Sequence, residues 1–367
     1  MIEIRRILCP TDFSDFSRRA LDHAVAIARW YESTITVLHV FSTAPVAADA
    51  PGAPGHEPIV LTRADRDQML AEMQRFIEAE SAPGIPVEAM MREGNAASEI
   101  LNQAIALNAD LLVIGTHGRS GFERLLLGSV TEKVLRKAAC PVLSVPPRLP
   151  DAVPATPVVF KGILCPVDFS VCSTHALTYA MSLAQEADAH LTVLHVITSE
   201  LEDDTPGMSD PLISDERLSL ADSRRRREET IRQRLKEAVP DTVAAYCSVE
   251  TMVSQGKPGR EILRIAAAQQ SDVIVTGVSG HSAVDLMFLG STTQSVVRQA
   301  TCPVLTLGPD LCIRMKRART RPGARPLRRT PKGADPYYAT APSIGRGAQI
   351  PLSASTISSA VGAPRRR

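Results

Sequence analysis

Short apolar runs alternate with helical patterns along the first 146 residues. We interpret these runs as buried strands, at residues 4–9, 34–40, 85–91, 110–114 and 141–145. The first strand should stop at Pro10, because proline lacks the amide donor that a sheet ladder uses. Strands that alternate with helices predict a parallel sheet covered by helices on both faces.

The helices between these strands are predicted from apolar positions at helical spacing. The first begins after Ser14, a residue type that caps helices well, and carries Ala20, Leu21, Ala24, Val25 and Ala28 on one face. The next two have their apolar faces at Met69, Leu70, Met73, Phe76 and Ile77, and at Ile100, Leu101, Ala104 and Ile105. We expect each of these faces to be buried against the sheet.

The same order of elements begins again after residue 158. Ile163-Leu-Cys-Pro-Val-Asp168-Phe-Ser170 repeats Ile7-Leu-Cys-Pro-Thr-Asp12-Phe-Ser14 at an offset of 156, and Gly290 repeats Gly128 at an offset of 162. A duplicated domain is the economical interpretation. We therefore predict domains at residues 1–146 and 159–308, joined over 147–158 by a proline-rich spacer.

A glycine-rich stretch connects a strand to a helix in both repeats. Its pattern is G-x2-G-x9-G-S, from Gly115 to Ser129 and again from Gly277 to Ser291. Glycines let the chain turn sharply and let a ligand approach the backbone, and the first amides of a helix attract anions. One copy would be a weak signal, but two copies predict a phosphate-sized anion site in each repeat.

With these motifs the chain resembles the universal stress protein family in tandem form, over roughly residues 1–308. The resemblance implies an α/β fold with two repeated doubly wound domains. Each would be a five-stranded parallel sheet, in the order 3-2-1-4-5, that binds ATP at the carboxyl ends of its strands. It also implies that the repeats form an intramolecular pseudo-dimer through their final strands, 141–145 and 303–307, and that a homodimer is an option.

The resemblance also implies which residues bind the nucleotide. In the first repeat they are Pro10, Thr11, Asp12, Val40, Gly115, Gly118, Arg119, Gly128, Ser129 and Val130. In the second they are Pro166, Val167, Asp168, Val196, Gly277, Gly280, Gly290, Ser291 and Thr292. Each aspartate would accept ribose hydroxyls, each valine would flank the base, and the glycines and serines would hold the phosphates, with or without Mg²⁺ bound through them.

Structural roles explain some of these residues equally well. Ser129 and Ser291 begin sequences that match a helix capping box, and Asp12 suits a turn. His39 and His195 lie mid-strand and are better explained as hydrogen-bonded strand residues than as catalysts. The cysteines of the four Cys-Pro pairs (Cys9, Cys140, Cys165 and Cys302) resemble small buried residues.

Charge is distributed unevenly along the 367 residues. From Leu311 onward there are 13 Lys/Arg and one acidic residue, whereas the remainder has 28 basic and 39 acidic residues. The segment 309–367 shows no hydrophobic periodicity, so we expect a disordered basic tail that binds polyanions weakly. The seven cysteines lack C-x-x-C spacing, so we expect reduced thiols and no bound metal. The sequence shows no signal peptide and no membrane-spanning run, so we expect a cytoplasmic protein without membrane contact.

The sequence is compatible with three function classes. The first is a nucleotide-binding protein in stress response or signalling, which the resemblance favours. The second is a slow ATPase, although no G-x4-G-K-[ST] motif is present. The third is a non-catalytic interaction module whose tail binds an acidic partner. We also predict unequal sites, because Arg119 corresponds to His281 in the second glycine stretch.

Overall fold

The structure, a computed structural model, describes residues 2–42, 63–80, 84–117, 127–147, 158–198, 214–244, 246–278 and 289–308. Most of the predicted linker 147–158 and the whole predicted tail 309–367 lie outside these residues. Three predicted binding residues of the glycine stretches, Gly118, Arg119 and Gly280, lie outside them as well.

The first repeat alternates strands and helices as predicted. Its elements are β1 (Arg6–Thr11), α1 (Asp15–Tyr31), β2 (Thr34–Phe41), α2 (Arg63–Glu80), β3 (Val87–Glu93), α3 (Ala96–Ala106), β4 (Leu111–Gly115), α4 (Ser129–Lys137) and β5 (Val142–Val145). Ser14 caps α1, because its hydroxyl accepts a hydrogen bond from the amide of Ser17.

The second repeat has the same order with one additional short helix. Its elements are β6 (Gly162–Pro166), α5 (Val171–Ala187), β7 (His190–Ile197), α6 (Ser214–Ala238), α7 (Asp241–Ala244), β8 (Val249–Gln255), α8 (Pro258–Ala268), β9 (Val273–Gly277), α9 (Ser291–Gln299) and β10 (Val304–Leu307). No helix of the described residues combines the length and the apolar composition needed to cross a membrane.

One ten-stranded sheet runs through both repeats in the order β3-β2-β1-β4-β5-β10-β9-β6-β7-β8. Each repeat therefore has the predicted order 3-2-1-4-5 with parallel neighbours. The repeats meet where β5 and β10 pair antiparallel, with Leu143 opposite Leu305. Ser144 Oγ donates to Val304 O over 3.1 Å across this seam. The predicted pairing of the final strands is confirmed.

Two apolar layers, one on each face of the sheet, extend across both repeats. The layer under α1, α2, α5 and α6 includes Phe160, which is 1% exposed, and the layer under α3, α4, α8 and α9 includes Leu8 and Leu164. Phe160, just before β6, packs its ring 5.3 Å from that of Trp30 in α1. The second repeat thus inserts an aromatic side chain against the first, which joins their cores.

Two local predictions are wrong. β1 continues through Pro10 to Thr11. Its pairing with β4 ends at Leu8 and only its pairing with β2 continues, so the missing amide of Pro10 interrupts no ladder with β4. Leu70 and Ile105 are exposed, at 39% and 63%, since they flank the apolar stripes of α2 and α3.

Candidate functional site

A cavity of about 190 Å³ opens at the carboxyl ends of β1, β2 and β4, beside the first turn of α4. Eight predicted binding residues of the first repeat line it: Pro10, Thr11, Asp12, Val40, Gly115, Gly128, Ser129 and Val130. The strand order reverses between β1 and β4, and open α/β sheets bind ligands at such a reversal. The structure thus brings these residues around one common space.

The first turn of α4 forms the polar end of the cavity. Gly128 is the N-cap and Ser129 the first helical residue, and Gly290 caps α9 in the same way ahead of Ser291. The capping-box interpretation of the two serines is therefore wrong. The backbone fixes the helix start instead, since the Gly128 amide donates to Thr116 O over 2.9 Å. The amides that follow have no acceptor within the helix, which favours an anion at this end.

Buried threonines connect α4 and α9 to the sheet through hydrogen bonds. Thr131 Oγ1 donates to Gly115 O over 2.8 Å, and Thr293 Oγ1 donates to Gly277 O over 2.7 Å. Sequence reasoning missed these residues, although a threonine follows the glycine–serine pair at the same distance in both repeats. The bonds hold each helix start against the end of the strand that precedes it.

Close backbone approach explains two of the glycines. A Cβ on Gly128 would lie 3.1 Å from the carbonyl oxygen of Thr116, and a Cβ on Gly277 would lie 2.8 Å from the Cβ of Cys172. Contacts this short require a neighbour to move. Glycine is therefore needed for the strand end and the helix start to pack as they do, which is a structural reason for the motif beside any ligand role.

Asp12 combines a turn role with a place in the cavity. Its Oδ1 accepts from the Ser14 amide over 3.1 Å, and Asp168 Oδ1 accepts from the Ser170 amide over 2.9 Å. The turn interpretation of Asp12 is thus confirmed, and Asp168 has the same role in the second repeat. Asp12 Oδ1 also accepts from the Ser14 hydroxyl over 2.5 Å, so the carboxylate both shapes the turn and lines the cavity.

The two mid-strand histidines are hydrogen-bonded, as predicted. His39 Nδ1 lies 2.9 Å from Thr11 O, and His195 Nδ1 lies 2.7 Å from Val167 O. Burial lowers the pKa of His195, and this outweighs the opposite effect of the Val167 carbonyl and of Asp168. These rings hold the carboxyl end of the first strand of each repeat against the second strand.

Seven further residues line the cavity and were not predicted for the site. They come from elements that only the fold brings together: Ser17, Leu38, Ala96, Ile100, Ile114, His117 and Thr131. Leu38, Val40 and Ile100 give the cavity an apolar part, in addition to the polar first turn of α4. Thr116 Oγ1 lies 2.9 Å from His117 Nδ1, which fixes the orientation of that ring.

The second repeat places its predicted residues at the corresponding strand ends. Pro166, Val167 and Asp168 lie at the end of β6, Val196 lies in β7, Gly277 ends β9, and Gly290, Ser291 and Thr292 form the start of α9. Three differences from the first repeat change the chemistry. Val167 replaces Thr11 and removes a hydroxyl, whereas Thr276 replaces Ile114 and Thr292 replaces Val130, which add one each.

The four cysteines that precede prolines are small buried or half-buried residues, as predicted. Cys9, Cys140 and Cys165 are buried and Cys302 is half-buried, all without disulfides. Burial raises the pKa of Cys9, Cys140 and Cys302 to about 12, so their thiols stay protonated near neutral pH. Among the residues that the structure describes, no group of three or more His, Cys, Asp or Glu side chains is arranged to hold a metal ion.

Comparisons with known proteins agree with the repeat structure. The model of the universal stress protein family matches residues 3–146 and again residues 160–307. A universal stress protein of Mycolicibacterium smegmatis is 26% identical over 308 residues, which cover 83% of this chain and 97% of that protein. One of Methanocaldococcus jannaschii is 36% identical over 142 residues, 38% of this chain and 81% of that protein.

A solved structure extends the similarity to the whole fold. The crystal structure of a universal stress protein from Archaeoglobus fulgidus superposes with a TM-score of 0.55 at 26% identity. The match covers 84% of this chain and 98% of that one. Its near-complete coverage indicates that both repeats, and not one alone, have a counterpart there.

Proposed function

This chain belongs to the universal stress protein family, and we propose on that premise that each repeat binds an adenine nucleotide, with ATP preferred. The observation that carries the proposal is the cavity of the first repeat. Eight predicted residues from β1, β2, β4 and α4 line this one space, at the point where the strand order reverses.

The cavity has distinct surfaces for the two ends of a nucleotide. Leu38, Val40 and Ile100 offer an apolar wall that suits the faces of a base. Asp12 lies at the end of β1, where its carboxylate would accept hydrogen bonds from ribose hydroxyls. We therefore propose that the nucleoside lies over the ends of β1 and β2.

The phosphate end would lie on the first turn of α4. The amides that follow Gly128, together with the helix dipole, favour negative charge, and the hydroxyl of Ser129 is not consumed as an N-cap. A Cβ on Gly128 would lie 3.1 Å from the Thr116 carbonyl oxygen, so the glycine lets these amides start the helix close to the end of β4. Mg²⁺, where present, would be held mainly by the phosphates themselves.

We propose that the protein binds ATP without hydrolysing it rapidly. Asp12 and His117 are the titratable side chains among the cavity-lining residues. Asp12 Oδ1 already accepts a bond in a turn and His117 Nδ1 already lies against Thr116, which argues against either as a free general base. A slow ATPase stays as the alternative, and a turnover assay with radiolabelled ATP distinguishes the two.

The cellular part of the proposal is a cytoplasmic role in stress response or signalling. Buried thiols that form no disulfide among the described residues suit a reducing compartment. Homodimer formation and weak polyanion binding by residues 309–367 stay predictions from the sequence alone.

Isothermal calorimetry with ATP tests the proposal. The native protein should bind two ATP molecules per chain. Gly128→Val and Gly290→Val should each remove one. A side chain at Gly128 would press on the Thr116 carbonyl oxygen and displace the helix start whose amides are the proposed phosphate ligands, and we expect the same at Gly290. Thermal unfolding of each variant serves as the control for folding. Unchanged ATP affinity and stoichiometry in the protein with both substitutions would refute the proposal.

A further inference from the structure

Among the described residues, β3 and β8 are the two outer strands of the ten-stranded sheet. The outer side of such a strand presents backbone donors and acceptors with which another chain can pair. Both strands are seven residues long and contain no proline. Glu88 and Ala89 of β3 are exposed to solvent, so the edge of the first repeat is accessible to a partner.

Alternate residues of β3 direct their backbone groups away from the sheet. β3 is hydrogen-bonded to β2 at both of its ends, through Pro86 O and through the Gly94 amide, over 2.9 Å each. Because successive residues of a strand direct their backbone groups to opposite sides, the even-numbered residues face β2. The odd-numbered residues face outward: Val87, Ala89, Met91 and Glu93.

Opposite charges lie on one face of this edge, on either side of Met90. Side chains alternate along a strand, so Glu88, Met90 and Arg92 project from the same face of the sheet. Arg92 Nη1 donates to Met91 O over 3.0 Å. Since Met91 O faces outward, this bond places the guanidinium at the outer side of β3, where the side chains of a partner strand would lie.

These features make β3 complementary to a second copy of itself. When two β3 strands pair antiparallel about Met90, Glu88 of each chain lies opposite Arg92 of the other. The outward groups of Ala89 and Met91 then form hydrogen-bonded pairs. Both ion pairs fall in the non-hydrogen-bonded pairs, where opposing side chains lie closest. Shifting the register by two residues sets Glu88 or Arg92 opposite Met90 and loses both ion pairs.

β8, the corresponding strand of the second repeat, lacks this complementarity. At the offset of 162 residues Glu250 matches Glu88, but Ser254 matches Arg92. Ser254 Oγ donates to Glu261 Oε2 over 2.6 Å, within its own repeat. Two β8 strands paired in the same way would therefore set each glutamate opposite a serine and form no ion pair.

From this difference we infer that the chain forms a symmetric homodimer through β3, which continues the sheet from one chain into the other. A twofold axis at Met90 closes the assembly. In the dimer Met91 O accepts from the Ala89 amide of the second copy, and Arg92 pairs with Glu88 of that copy. Pairing of β3 with β8 of a second copy would keep one of the two ion pairs and leave further edges open. The inference does not depend on nucleotide binding.

Sedimentation equilibrium of the full chain at increasing concentration tests the inference. The native chain should show a monomer–dimer equilibrium. Arg92→Glu turns both attractions into like-charge contacts and should weaken the dimer roughly tenfold or more. Adding Glu88→Arg to Arg92→Glu restores both ion pairs with reversed charges and should return the dimer affinity to within about threefold of the native value. Glu250→Arg on β8 is the charge control and should leave the dimer unchanged.

Proline substitution tests the backbone pairing separately. Ala89→Pro removes an outward amide and leaves the ladder with β2 intact, because proline is tolerated where the amide of an edge strand faces solvent. It should abolish the dimer. Thr251→Pro makes the same change at the corresponding position of β8 and should leave the dimer intact. Thermal unfolding shows whether each variant is folded, and the charge exchange decides the question if Ala89→Pro does not fold.

The other outcomes overturn the inference. A native chain that stays monomeric at every concentration refutes it, as does a dimer that persists in folded Ala89→Pro. Loss of assembly in Thr251→Pro, or species larger than a dimer in the native chain, would show that β3 pairs with β8 and not with itself. Failure of Glu88→Arg to rescue Arg92→Glu would refute the register about Met90.

Discussion

Thr131→Val tests how the candidate site is built. The hydroxyl of Thr131 is buried and donates to Gly115 O over 2.8 Å, which fastens α4 to the end of β4. Valine has nearly the same shape, so the substitution removes the donor without opening a cavity. A buried carbonyl that loses its partner costs roughly 1–3 kcal/mol, and we expect the free energy of unfolding to fall by that amount.

Nucleotide affinity should fall together with stability. The amides of the first turn of α4 are the proposed phosphate ligands, and a less firmly held helix start must be ordered when the ligand binds. Urea unfolding followed by circular dichroism measures the first effect, and calorimetry with ATP measures the second. Thr293→Val should give the same pair of losses at the second site, through its bond of 2.7 Å to Gly277 O.

Thr178→Val provides the control. Thr178 Oγ1 donates to Thr174 O over 3.2 Å, but this hydrogen bond is exposed to solvent and Thr174 is an exposed residue, so water replaces the lost partner. Its effect should stay within about 0.5 kcal/mol, with ATP affinity unchanged. The reasoning is refuted if Thr131→Val leaves stability and affinity intact, or if Thr178→Val produces the same losses.

Three further predictions concern the rest of the molecule. Phe160→Ala should lower the free energy of unfolding by about 3–5 kcal/mol, because it empties the buried contact with Trp30, and a loss below about 1 kcal/mol would show that the repeats are not joined there. Burial lowers the pKa of His23 from 6.5 to about 4 in the folded protein, so the unfolded chain binds the proton at a higher pH. The free energy of unfolding should therefore fall as the pH drops from 6.5 to 4. An equally steep fall in His23→Gln would contradict this. Removing residues 309–367 should leave ATP binding unchanged and weaken salt-dependent retention on heparin, whereas loss of ATP binding would contradict the domain boundary.

Much of the fold follows from periodicity and repetition in the sequence. The alternation of apolar runs and helical stripes gives the elements, and the repeated Ile-Leu-Cys-Pro segment gives the duplication. Pairing of β5 with β10 follows from the apolar final strands, since an exposed edge invites a partner. Pro10 was misjudged because the sequence does not show that β4 pairs with β1 only as far as Leu8.

The candidate site was predictable where a motif repeats and not where the fold alone brings residues together. Ile100 and His117 line the cavity from α3 and from the segment after β4, and nothing local to either residue indicates this. The serines were misjudged because a capping-box sequence does not decide which residue becomes the N-cap, and here Gly128 takes that position.

Mass spectrometry of the small molecules released from the purified native protein tests the central claim most directly. The claim is that both repeats bind an adenine nucleotide at the strand ends. We predict that an adenine nucleotide is released from the native chain and is absent from the protein carrying both Gly128→Val and Gly290→Val. A native protein that neither releases an adenine nucleotide nor takes one up when it is supplied, or a double variant that still carries one, would contradict the claim.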